Sequence, residues 1–150
     1  MTLDIALAYL HFIALIGTVG LLVAEMTLCR PGIVGDALHR LKRIDIGFGA
    51  FAGATLVTGA LRAFWGVKGS AFYLSNPVFH AKVGIFVLVG LLSIVPTIRF
   101  IRWSKAAARA EAAPNAAAVA SVRRWLHAEI GLLTLLPLLA AIMARGIGRV

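Results

Sequence analysis

Between Asn76 and Val95 the chain reads NPVFHAKVGIFVLVGLLSIV. Asn76 is a residue type that caps helices and Pro77 suits a first helical turn, so a helix begins here. The apolar run IFVLVGLLSIV, from Ile85 to Val95, is suited to lipid. A helix bound for hydrocarbon nevertheless places His80 and Lys82 inside its first two turns.

The rest of the chain agrees with a membrane reading. Of 150 residues, 61% are hydrophobic, and mean hydropathy is +0.93. A soluble domain of this size does not carry so much apolar sequence. Four segments approach the about 20 residues that span a bilayer core: Ile5–Leu28, Ile44–Gly66, Val78–Ile101 and Trp125–Ala144. The expected fold is an all-α integral membrane protein, one four-helix transmembrane bundle over residues 1–150. The first segment has no Lys or Arg ahead of it and outruns a signal h-region, so it is expected to be a retained helix. The single Cys29 excludes an intrachain disulfide and a Cys-rich metal site.

The net charge of +9 follows the membrane pattern. Arg30, Arg40, Lys42 and Arg43 lie between the first two segments. Arg99, Arg102, Lys105, Arg109, Arg123 and Arg124 lie at or between the ends of the last two. Together they make 10 of the 15 Lys and Arg residues. The positive-inside rule makes both loops cytoplasmic and both termini periplasmic, in a multi-pass protein of the bacterial inner membrane. Contact with anionic membrane lipids accounts for the basic excess without a nucleic-acid partner.

The first loop, RPGIVGDALHRLKR, has Ile33, Val34, Ala37, Leu38 and Leu41 on one side at helical spacing, which predicts an amphipathic segment lying on the inner leaflet with His39 wet. The Ala-rich second loop should extend the third and fourth helices and turn at Pro114–Asn115. Gly49-x-x-x-Gly53, with Ala50 and Ala54 beside it, predicts a close helix contact. Pro96 and Pro137 fall inside helices and should kink them.

Ionisable residues within a bilayer are functional candidates by default. The inner half contains Glu25, Asp45, His127 and Glu129. For the three acids, ion pairs with Arg30, Arg43, Arg99 or Arg124 outweigh a proton relay. The outer half contains His11, Arg62, His80, Lys82 and Arg145, with Lys68 in the outer loop. This excess of positive charge invites an anionic ligand: a carboxylate, a haem propionate or a lipid phosphate. His11 lies about 9 Å inside its helix by the 1.5 Å rise. Seven-residue steps place His11, Thr18 and Glu25 in one stripe that should face the bundle interior. Two imidazoles on facing helices are one way to hold b-type haem, and His11 with His80 would be the pair. A structural imidazole bonded to a carbonyl or a Thr weighs about the same. Two residues of helix rotate a side chain by about 200°, so His80 and Lys82 point in different directions.

At these residues the chain resembles a family of short bacterial membrane proteins known as a domain of unknown function. The match runs through LHFIALIGTVGLLVAE, RP, LKRID, KGSAFYLSNPVFHAK, GLLSIVPT and LLAAIMARGIG. More distantly the chain is similar to the four-helix superfamily of the HemJ-type protoporphyrinogen oxidases and copper-resistance-D-like proteins. Those oxidases carry a His early in helix one before a Gly-Leu pair, and a Trp-Leu-His-x-Lys-like start to helix three. Here His11 precedes Gly20-Leu21, and VFHAK ends in His80 and Lys82. The resemblance implies haem b on His11, with His80 as second ligand and Lys82 as a functional lysine.

The expected function is therefore binding of b-type haem or a related porphyrin in the outer half, for electron transfer or oxidation. His11 and His80 would hold the metal, Arg62, Lys68 and Arg145 would hold propionates, and Lys82 would anchor an anionic substrate group or tune the iron. The expected partners are lipids, a redox partner or quinone, and a second copy in a homo-oligomer. The alternative is a non-enzymatic small membrane subunit or lipid-binding bundle whose polar residues pin helices. Copper handling is disfavoured by three Met, one Cys and no His cluster.

Overall fold

The computed structural model describes residues 2–66 and 69–146. Its elements are α1 (Thr2–Leu28), α2 (Asp36–Trp65), the short α3 (Gly69–Leu74), α4 (Pro77–Ala108) and α5 (Ala116–Ala144). All but α3 are long and apolar enough to cross a membrane. The protein is all-α, with no strand among the described residues. α1 and α4 each pack on both α2 and α5, so the four long helices form a square with α1 and α4 on one diagonal. The α1–α2 and α4–α5 loops share the basic end of the bundle. The start of α1, the end of α5 and α3 share the other, here called the terminal end.

The long helices are oriented by three- and four-residue spacing of their inward positions. In α1 the buried side chains are Leu7, Ala14, Thr18, Leu22 and Glu25, followed by Cys29, with half-buried His11 in the same row. In α5 they are Val119, Val122, Leu126, Glu129, Leu133, Leu136 and Met143. The opposite faces expose large apolar side chains such as Ile16, Val57, Leu91 and Leu138. That is the surface of a protein solvated by lipid tails.

Helix ends follow their sequence signals. The Asn76 side chain accepts the Val78 N–H at 2.9 Å, with Pro77 as the first helical residue of α4. Asn115 accepts from Ala118 N–H at 2.8 Å and starts α5. α4 closes with the Glu111 N–H on the Ala106 carbonyl and the Ala110 N–H on the Ala107 carbonyl. Ala110 takes φ 53° there, a conformation usually left to glycine. α4 and α5 run through Pro96 and Pro137 without interruption.

Two expectations need correcting. The amphipathic segment of the first loop is not separate: α2 starts at Asp36, and Leu38 and Leu41 are buried in one core with Cys29 and Ile33. Most of its apolar side meets protein, Val34 alone of the strongly apolar residues staying exposed, and half-buried His39 is bonded to Ser104 Oγ at 2.8 Å. Secondly, a Cβ added at Gly49 or Gly53 would meet nothing within 4 Å, so that motif makes no close contact within the chain. The α1–α2 approach uses Gly17 against the Phe51 ring, Gly47 against Leu21 and Gly59 against His11. Here the absent side chains admit large ones from the other helix.

Candidate functional site

Two groups of polar side chains enter the bundle, one in each half. In the terminal half, His11 Nδ1 lies 3.1 Å from the Thr55 carbonyl oxygen and 3.1 Å from Thr58 Oγ1. A carbonyl only accepts, so Nδ1 carries the proton and Nε2 keeps the lone pair. Thr18 and Thr55 meet at 3.2 Å between hydroxyls, continuing the polar row toward the bundle centre. The His11–Thr18–Glu25 stripe does face inward, with Thr18 and Glu25 fully buried.

Arg62, in the last turn of α2, sets its guanidinium 5.8 Å from the centre of the Phe12 ring, within cation–π range. Its buried Nε has no hydrogen-bond partner. The charges of Arg62 and Lys82 both reach the His11 ring. Lys82 is half-buried on the α4 side that carries Ile85, Phe86 and buried Val89.

His80 is placed differently. It is exposed, and its Nε2 donates to the Leu74 carbonyl at 2.8 Å, tying α4 back to α3. The structure therefore brings Lys82, and not His80, toward His11, in keeping with the rotation between them. Arg145 is the exposed residue that ends α5. Lys68 lies outside the described residues.

In the basic half, Glu25 and Glu129 are at most 1% exposed and Asp45 is 5% exposed. The Thr97 hydroxyl donates to Asp45 Oδ1 at 2.7 Å. Glu25 Oε1 and both Glu129 oxygens have no hydrogen-bond partner. The expected ion pairs with Arg30, Arg43, Arg99 and Arg124 are not made. All four arginines are exposed, and the ion pair among the described residues is Arg109 with Glu111. Long cationic side chains at helix ends reach for water and headgroups rather than inward.

Arg123 behaves otherwise. It donates to the Met26 and Cys29 carbonyls at 2.8 and 2.7 Å, satisfying acceptors that the end of α1 leaves open. Beside it, burial pushes the Cys29 thiol up to about 11, so it stays a protonated filler. His127 is exposed and bonded to its own helix through the Arg123 carbonyl. An open cleft of about 250 Å³ lies over Asp36, His39, Arg40 and Arg43. No group of three or more His, Cys, Asp or Glu is placed to hold a metal ion among the described residues.

Thr55, Thr58, Thr97 and Arg123 are the participants that sequence reasoning missed. Thr55, Thr58 and Arg62 carry a signal, since offsets of three and seven put them on one side of α2. Thr97 and Arg123 carry none that separates them from ordinary helix residues.

A family model described as "Predicted membrane protein (DUF2214)" matches residues 3–148. No curated protein and no solved structure matches the chain.

Proposed function

The chain belongs to the DUF2214 family of predicted membrane proteins, and from that premise we propose that its terminal half holds b-type haem or a related porphyrin, with His11 as the iron ligand. The observation that carries this reading is the hydrogen bond from His11 Nδ1 to the Thr55 carbonyl. Ligating imidazoles are oriented in this way, with the second nitrogen presented to the metal. The residues would supply one imidazole to the iron and not two. His80 is exposed and engaged with Leu74, so the pair of imidazoles is not formed. Arg62 and Lys82 are the cations whose charge reaches His11, and they would neutralise the propionates. Haem supplies one-electron chemistry when bound. Thr55 and Thr58 fix the ring orientation, and Phe12 backs the Arg62 guanidinium. The reading places the protein in a bacterial inner membrane with the basic end cytoplasmic, working with a redox partner or quinone.

The test is a reduced-minus-oxidised absorbance spectrum of the detergent-purified protein after haem is supplied. Soret and α bands are expected in the wild type and in His80→Ala, and lost in His11→Ala. Absence of any band in the wild type sinks the haem reading, and a band unchanged in His11→Ala removes the ligand assignment. For orientation, a periplasm-dependent reporter fused after Val150 should be active, and a silent fusion inverts the topology.

One observation favours the second reading, a non-enzymatic small membrane subunit or lipid-binding bundle. The same His11 bonds to Thr55 and Thr58 join α1 to α2, a structural clamp in its own right. Under that reading His11→Ala lowers thermal stability by about 1 kcal/mol and no spectrum is seen at all.

A further inference from the structure

Among the described residues, the basic half buries three carboxyl groups where the terminal half buries none. Glu25 comes from α1, Asp45 from α2 and Glu129 from α5, and they lie within electrostatic range of one another. Asp45 has the Thr97 hydroxyl as a donor. Glu129 is fully buried with both oxygens unpartnered, and Glu25 is 1% exposed with Oε1 unpartnered.

Among the described residues no cation is ion-paired with either glutamate and no donor reaches their unpartnered oxygens. On α1 the neighbouring titratable group is the Cys29 thiol, within range of both Glu25 and Arg123. On α2 it is Asp45 itself. α4 presents the Thr97 hydroxyl, while its Arg99 is exposed. On α5, Arg123 spends its Nη1 donor on the Met26 and Cys29 carbonyls, and Arg124 is exposed. A buried carboxylate with neither a cation nor a donor costs far more than a neutral acid in the same place. No metal-binding arrangement of three or more His, Cys, Asp or Glu exists among the described residues.

We propose that Glu25 and Glu129 form a proton-binding site inside the basic half of the bundle, reached from the basic end and using Asp45 with Thr97 as its third, hydrogen-bonded member. Each glutamate holds its proton as a carboxylic acid. Glu25 lies one turn before the end of α1, which makes it the entry. Releasing a proton leaves a negative charge between α1 and α5 that only an incoming proton or cation can relieve. Ion pairing, the role that sequence favours for these acids, is removed by the exposure of their expected partners. The site shares no residue with the haem reading and lies in the other half.

The experiment is infrared spectroscopy of the full chain in lipid at neutral pH, observing the C=O stretch of protonated carboxylic acids. The wild type should show this band, and it should shift in D2O, because the site exchanges protons with bulk water. Glu25→Gln and Glu129→Gln, near-isosteric changes that keep the site filled, should each remove about half of its area. Asp45→Asn should leave most of it. Absence of the band in the wild type overturns the proposal, as does a band untouched by both Gln variants. A band that disappears when sodium is added also overturns it, in favour of a cation site. The wild-type spectrum, with glutamate carboxyl carbons isotopically labelled, remains decisive if either variant fails to fold.

Discussion

The two halves of the bundle solve the problem of polar groups in lipid in opposite ways. In the basic half the inward side chains are fully enclosed: Leu22, Leu41, Phe100, Val119, Val122 and Leu126, like Glu25 and Glu129, are at most 2% exposed. Glu25 Oε1 and both Glu129 oxygens are enclosed there without a hydrogen-bond partner, while Asp45 accepts from Thr97. In the terminal half the inward row is only partly covered, with half-buried His11, Arg62 and Lys82, and its imidazole is bonded to the neighbouring helix. The same four helices therefore enclose unpartnered carboxyl oxygens in one half and a cross-helix imidazole bond in the other.

Paired truncations test that contrast most severely. Phe100→Ala, in the closed half, should cost about 3 kcal/mol, while Phe86→Ala, half-buried toward the terminal end, should cost about half as much. Lipid is itself apolar, so the penalty is lost packing rather than lost transfer from water. Chemical denaturation in mixed micelles reads the difference, and equal penalties would erase the distinction between the halves.

Next in size is Arg123→Ala, which strips two charge-assisted hydrogen bonds from the end of α1. It should cost about 2 kcal/mol. Both bonds leave one nitrogen, Nη1, so Arg123→Lys, a cation with several donors on one nitrogen, should recover part of this. Ala110→Gly works in the opposite direction. It relieves φ 53° at the α4 terminus and should stabilise by about 1 kcal/mol. A loss of stability there would show that Ala110 contributes packing that the backbone geometry does not reveal.

The mildest probe is Cys29. Its thiol is 0% exposed and pushed up to about 11. Thiolate is the reacting form, so maleimide labelling in micelles should be slight at neutral pH and rise with pH toward 11. Rapid neutral labelling would mean that the closed half opens.

Four spans are legible in the sequence because about 20 apolar residues in a row have no soluble alternative. The boundaries are less so. Asp36–Arg43 reads as amphipathic, and amphipathicity does not distinguish a helix face against lipid headgroups from one against protein. The different directions of His80 and Lys82 follow from helical rotation alone. The same method applied to α5 puts Glu129 on the Val122, Leu126 and Leu133 side, where a surface arginine does not reach. The expected ion pairs rest instead on nearness along the chain, which ignores rotation. The Gly49 and Gly53 spacing misleads because small residues permit an approach without saying which helix makes it.

Arg123 has a consequence for how the bundle is made. Its donors sit near the start of the last span, and its acceptors close the end of the first. Synthesis delivers the lock long after the part it secures. Until α5 emerges, α1 and α2 stand in the membrane with Glu25 and Asp45 lacking their final wall, and the Met26 and Cys29 carbonyls lack this donor.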